Sequence, residues 1–126
     1  MSAPARTPLR ILVVDDDPDI TDAMRDLLDL LGHRAATAND GGAALDVARQ
    51  FAPELVLCDL SLPGLDGFGV ARALRADPAT ARSRLVALTG YSGGEMGGEL
   101  RLAGFDRHVT KPVSLEQLNA LLEERT

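Results

Sequence analysis

Leu9–Asp19 reads LRILVVDDDPD, an apolar run that meets a block of acid with nothing between them. The run is short and bounded by Pro8 and the acids, so it reads as a buried strand over Leu9–Val14. Four carboxylates in the next five positions repel one another, and each needs a reason to be there. Pro18 suits the first position of a helix, which makes Asp17 the N-cap and puts Asp19 in the first turn, where a carboxylate favours the helix dipole. Asp15 and Asp16 are left without a helical role. They stand together at the end of a strand, where either a cation or a raised pKa would relieve their repulsion.

Outward from this stretch the pattern alternates. Ile20, Met24, Leu27, Leu28 and Leu31 share one helical face, and Gly32 stands just past its end. Arg34–Ala38 is a weak strand. Gly42–Phe51 has helical spacing and stops before Pro53. Glu54–Cys58 is a second buried strand, Phe68–Ala76 a helix, Leu85–Leu88 a strand. Asp106–Thr110 is a short strand, and Ser114–Glu124 a closing helix whose Ser114 and Gln117 form a capping box. Between them, Ser92–Ala103 sends mixed signals. Ser92 and Glu95 form a capping box, but Gly93, Gly94, Gly97 and Gly98 each cost up to about 1 kcal/mol against alanine inside a helix. The expectation is a short or frayed helix that begins around Glu95 or beyond.

Strand–helix units in alternation predict an α/β fold, a doubly wound five-stranded parallel sheet with helices on both faces. The 126 residues form one domain, with residues 1–8 as a flexible N-terminal tail. In such a sheet the functional crevice lies at the carboxyl ends of the strands. The residues there are Asp15 and Asp16, Asp59, Thr89 and Lys111. All-oxygen ligation suits magnesium, a hard ion that often shares a phosphate. A lysine and a hydroxyl can grip further phosphate oxygens, and an aspartate can itself become an aspartyl phosphate.

Composition agrees. A net charge of −6 and a pI near 4.8 argue against direct contact with nucleic acid. The single cysteine, Cys58, excludes an intrachain disulfide and fits a reducing cytoplasm. It reads as a small buried hydrophobe. No stretch is long enough to span a membrane. His33, just past a helix end, is expected at the surface, and Asp66 in turn and helix-start chemistry.

The motifs VVDDD (Val13–Asp17), CDLSLPGLDG (Cys58–Gly67), LTG (Leu88–Gly90) and TKPV (Thr110–Val113), in this order and at this spacing, resemble those of response-regulator receiver domains. These are the phosphoacceptor domains of two-component signalling. The resemblance runs from about Leu9 to Leu122. It implies the flavodoxin-like strand order 2-1-3-4-5. It implies that Asp59 is the phosphoacceptor, Asp16 a direct Mg2+ ligand and Asp15 its partner, with the backbone carbonyl of Ser61 a further ligand. Thr89 takes the switch hydroxyl position and Lys111 the phosphate-pairing amine, followed by Pro112 in a peptide commonly cis. His108 stands where the family often has an inward-turning aromatic residue. As a histidine with an unperturbed pKa of about 6.5, it would add pH sensitivity to the switch. Tyr91, two residues past Thr89, is expected with Ser61 to tune the lifetime of the acyl phosphate. The implied partners are a histidine kinase or histidine phosphotransfer protein and a downstream protein target that reads the helix 4/strand 5/helix 5 face. No membrane or direct nucleic-acid partner is implied. The module would assist only its own phosphorylation and dephosphorylation. Because the sequence stops after the last helix, a stand-alone regulator is expected; the alternative is a receiver segment of a hybrid kinase or larger regulator.

Three rivals fit less well. A calcium loop begins D-x-D-x-D at Asp15, Asp17 and Asp19, but Ile20 replaces the required glycine and Asp26 the final glutamate. An aspartate-nucleophile phosphatase would want a second acid two positions beyond Asp59, where Ser61 stands. A flavin-binding relative would want a hydroxyl-rich loop where the acids are.

Overall fold

The computed structural model describes residues 8–90 and 97–124. Its most apolar segments make the centre of the sheet. β1 (Arg10–Val14), β3 (Leu55–Asp59) and β4 (Arg84–Thr89) are buried almost throughout, whereas β2 (Arg34–Ala38) and β5 (Arg107–Thr110) are partly exposed at the edges. All pairings are parallel, in the order β2-β1-β3-β4-β5. Near-continuous apolar runs are the signature of strands covered on both faces.

Alternate side chains along the central strands divide between two cores. Leu12, Val14, Val56, Cys58, Leu85 and Ala87 face α2 (Gly41–Phe51), α3 (Gly67–Ala76) and α4 (Gly97–Ala103), meeting Ala44, Ala48, Val70, Leu74, Leu100 and Phe105. Ile11, Val13, Leu55, Leu57, Val86 and Leu88 face α1 (Pro18–Leu30) and α5 (Leu115–Glu123), meeting Leu28, Leu118, Leu121 and Leu122. The doubly wound sheet and its strand order are as expected. Among the described residues no helix is long and apolar enough to cross a membrane.

Helix starts follow local chemistry. Asp17, Asp40, Asp66 and Ser114 each cap a helix with a side-chain oxygen, and Ser114 and Gln117 close the expected capping box. Strand ends shift by a residue or so from expectation, so that Asp59 and Thr89 terminate their strands rather than follow them. The expected late start of the fourth helix falls partly on residues 91–96, and the expected loose tail on residues 1–7, outside the described residues.

His33 corrects the sequence reading. It is buried, not at the surface, and its Nδ1 accepts a hydrogen bond from the Leu9 amide at 3.0 Å. The cause is the way α1 ends. Gly32, at φ +90°, lets its own amide reach Asp29 O and the His33 amide reach Leu28 O, each at 3.0 Å. This pair of bonds is the Schellman motif, and the residue in the His33 position turns back onto the last turn of the helix.

Candidate functional site

Parallel register brings the strand ends to one edge. Val14 pairs with Cys58, Asp59 with Leu88, and Thr89 with Thr110. The residues at or just beyond these positions therefore converge. Asp15 is 1% exposed and every polar atom it has is engaged. Its amide donates to Ala38 O at 3.2 Å and its carbonyl accepts from Asn39 Nδ2 at 2.9 Å. Its Oδ1 accepts from the Asp17 amide at 3.0 Å and its Oδ2 from Lys111 Nζ at 3.0 Å.

Lys111 reaches Asp59 Oδ2 as well, also at 3.0 Å, so one ammonium bridges the two buried carboxylates. The other Asp59 oxygen accepts from the Ser61 amide at 3.1 Å. The Lys111 amide donates to Thr89 O at 2.8 Å, which fixes the root of the lysine beside the buried Thr89. Burial by itself pushes the Lys111 pKa down. The hydrogen bonds to Asp15 and Asp59 and their charges outweigh it, and the pKa stands above its ordinary value. Lys111 is the single lysine of the sequence.

Asp16, exposed, completes the group: one carboxylate oxygen from each of Asp15, Asp16 and Asp59 lies within 4.8 Å of the others. Three carboxylates against one ammonium leave two negative charges. An all-oxygen donor set with that balance fits a hard divalent ion such as Mg2+. Asp17 is not part of the set; as expected it caps α1, accepting from the Asp19 amide at 2.9 Å. Cys58 is no ligand either. Burial, and then the Asp59 and Asp15 charges, push its pKa up to about 12, and its thiol donates to the Asp59 carbonyl. Helix α3 crowds the same strand end: a Cβ on Gly67 would stand 2.7 Å from Asp59 O and 2.7 Å from Leu60 Cα.

The remaining expected residues do not all join the group. Ser61 is exposed beside Asp59. His108 is exposed on edge strand β5, beside a groove also lined by Leu100, Arg101 and Phe105, and is not brought to the acidic cluster. Tyr91 lies outside the described residues. Asn39, which follows β2 at the same edge, has no role in the sequence reading, which considers the ends of the other four strands.

The model of the response regulator receiver domain family matches residues 11–123. The chain belongs to this family. As a receiver domain it is a signalling module of two-component systems. It is 40% identical over 116 residues to the DNA-binding response regulator MtrA of Mycolicibacterium smegmatis, a match covering 92% of this chain and 50% of that protein. The receiver domain thus spans about half the length of the curated relatives it matches. In structure it is similar to the chemotaxis response regulator CheY4 of Vibrio cholerae, with a TM-score of 0.86 and 27% identity, covering 92% of this chain and 97% of that one. It is also similar to the receiver domain of the sensor histidine kinase PA1611 from Pseudomonas aeruginosa, with a TM-score of 0.81 and 28% identity, covering 92% and 95%. That structure has a magnesium ion coordinated in its active site cleft.

Proposed function

We propose that this receiver domain accepts a phosphoryl group on Asp59 from the phosphohistidine of a histidine kinase or histidine phosphotransfer protein. The observation that carries the reading is the Lys111 bridge between Asp15 and Asp59, with Asp16 beside it. An Asp59 oxygen attacks phosphorus, the P–N bond breaks, and the imidazole leaves with the bonding pair, giving an acyl phosphate on Asp59. Lys111, already tied to Asp59 Oδ2, stays beside the new charge and pairs with a phosphoryl oxygen. Asp15, Asp16, Asp59 and the Ser61 carbonyl would hold Mg2+, which when bound neutralises negative charge on the phosphoryl oxygens. The Thr89 hydroxyl turns toward the phosphoryl group, and His108, exposed on edge strand β5, follows it. This changes the face of α4, β5 and α5 that a downstream protein reads. Tyr91 and Ser61 tune the lifetime of the acyl phosphate by limiting the approach of water. The setting is cytoplasmic.

A second reading of the whole protein is that this domain is one part of a longer regulator. It is favoured by the relatives, of which the chain spans about half. A contact with DNA would then fall to another part, since this one carries a net charge of −6.

Acetyl phosphate with Mg2+ is expected to label the protein once, at Asp59, and Asp59→Asn is expected to remove the label because an amide is no nucleophile. Undiminished labelling of that variant, read by intact mass, overturns the assignment.

A further inference from the structure

The acidic turn that carries Asp15 and Asp16 leaves β1 and enters α1, and a single side chain from a third element spans its base. Asn39, on the connection from β2 to α2, donates through Nδ2 to the Asp15 carbonyl at 2.9 Å and to Thr21 Oγ1 at 3.1 Å. A backbone carbonyl can only accept, so the group facing Asp15 is the amide NH2 and both of its hydrogens are used. Thr21 is 1% exposed and passes the link on, donating to Pro18 O at 3.1 Å. The residue before it, Ala38, ends β2 and accepts the Asp15 amide through its carbonyl.

We infer that Asn39 is the positioning residue for the cation site: it staples the two ends of the acidic turn and sets the place of Asp16 relative to Asp59. The inference rests on the proposed Mg2+ site and deepens it. Asp15 has its own restraints from Lys111 and the Asp17 amide, but Asp16 has none of these. Among the described residues no side-chain hydrogen bond holds its carboxylate, so its place follows from the backbone between residues 15 and 17. That backbone is held from the strand side through the Asp15 carbonyl and from the helix side through Thr21 and Pro18. Both anchors meet on one amide group. Asn39 touches neither the cation nor Asp59, and it acts by removing freedom that ligation would otherwise have to remove. Groups that orient ligands in this way alter metal affinity by about 10-fold or more when they are lost.

The test is titration calorimetry of the whole chain with Mg2+ alone, with melting of the metal-free protein measured in parallel. Asn39→Ala is expected to weaken Mg2+ binding by about tenfold, with larger amide chemical-shift changes at Asp16 and Asp17 than at residues on β4 or α5. Thr21→Val, which removes one of the two anchors, should give a smaller loss. In the double variant the two effects should be less than additive, because both report one staple. Thr21→Ser keeps the hydroxyl and should bind as the wild type does, and Thr21→Val carries the test if the Asn39→Ala variant fails to fold. Unchanged affinity in Asn39→Ala or Thr21→Val, with or without a lower melting temperature, overturns the inference and leaves the cation site standing. Absence of Mg2+ binding in the wild-type chain overturns the proposed site itself.

Discussion

Asp17 accepts the Asp19 amide and starts α1, while the adjacent Asp16 lies in the carboxylate group with Asp15 and Asp59. Adjacent acids of the same type are therefore separable by substitution. Asp17→Ser keeps an N-cap oxygen and should leave Mg2+ affinity unchanged, while Asp17→Ala should cost about 1 kcal/mol of stability. Asp16→Asn should weaken Mg2+ binding at least tenfold with little loss of stability. Calorimetric titration and urea unfolding separate the two, and a larger metal defect at Asp17 would reverse the assignment. Lys111 makes a pH prediction. Its folded pKa is raised, so its contribution is fully present below the unfolded value of 10.5 and is lost as pH rises through the folded pKa. The stability difference between the metal-free wild type and Lys111→Met should stay level through neutral pH and shrink above about 10.5. A difference that shrinks instead between pH about 6 and 8 would assign the effect to another group.

At the scale of elements, α4 is secured at its C-terminal end by one guanidinium. Arg75 on α3 donates from Nε and NH2 to Gly104 O at 3.0 and 2.8 Å, and from NH1 to Ala81 O and Ser83 O at 2.7 and 2.6 Å. Its NH2 also meets Asp106 Oδ2 at 2.9 Å, the oxygen that accepts the Leu85 amide. All five N–H donors are used. Gly104, at φ +116°, is part of the same joint, because a Cβ there would stand 2.6 Å from Arg75 Cγ. Arg75→Ala leaves these carbonyls to find partly excluded water, at a cost of about 2–3 kcal/mol. Arg75→Lys should recover less than half of it, since a point charge cannot replace a fork. Urea unfolding measures both, and a loss below about 0.5 kcal/mol would mean that the carbonyls are served elsewhere.

For the whole molecule, the cation site predicts a ligand-linked stability. At a Mg2+ concentration 100 times the dissociation constant the native state gains about 2.7 kcal/mol. For a domain of this size that is roughly 10 °C in melting temperature. Calorimetry with Mg2+ against EDTA should show the rise, and Asp16→Asn should abolish most of it; identical melting in both buffers would argue against the site. The layered sheet was legible because the apolar runs before Asp15, Asp59 and Thr89 are short, dense and bounded, and the chemistry sits where each run ends. What escaped has a common cause. Thr21 and Asn39 matter through a carbonyl and a hydroxyl, and Arg75 through carbonyls, partners that every sequence offers everywhere. His33 is buried by a helix ending whose two bonds are backbone to backbone. β2, as RAATA, is too weak a strand to draw the eye to the residue after it.

The bridging ammonium also belongs to the single lysine of the chain. Among the side chains of these 126 residues, Lys111 is the whole inventory for reagents that seek primary amines. Reductive methylation with isotope-enriched formaldehyde would therefore place one side-chain resonance in the protein, located between Asp15 and Asp59. The same scarcity is a hazard. Random amine coupling to a biosensor surface would tether the molecule either by its N-terminus or through the group that holds its two buried carboxylates together, and the second population would be silent.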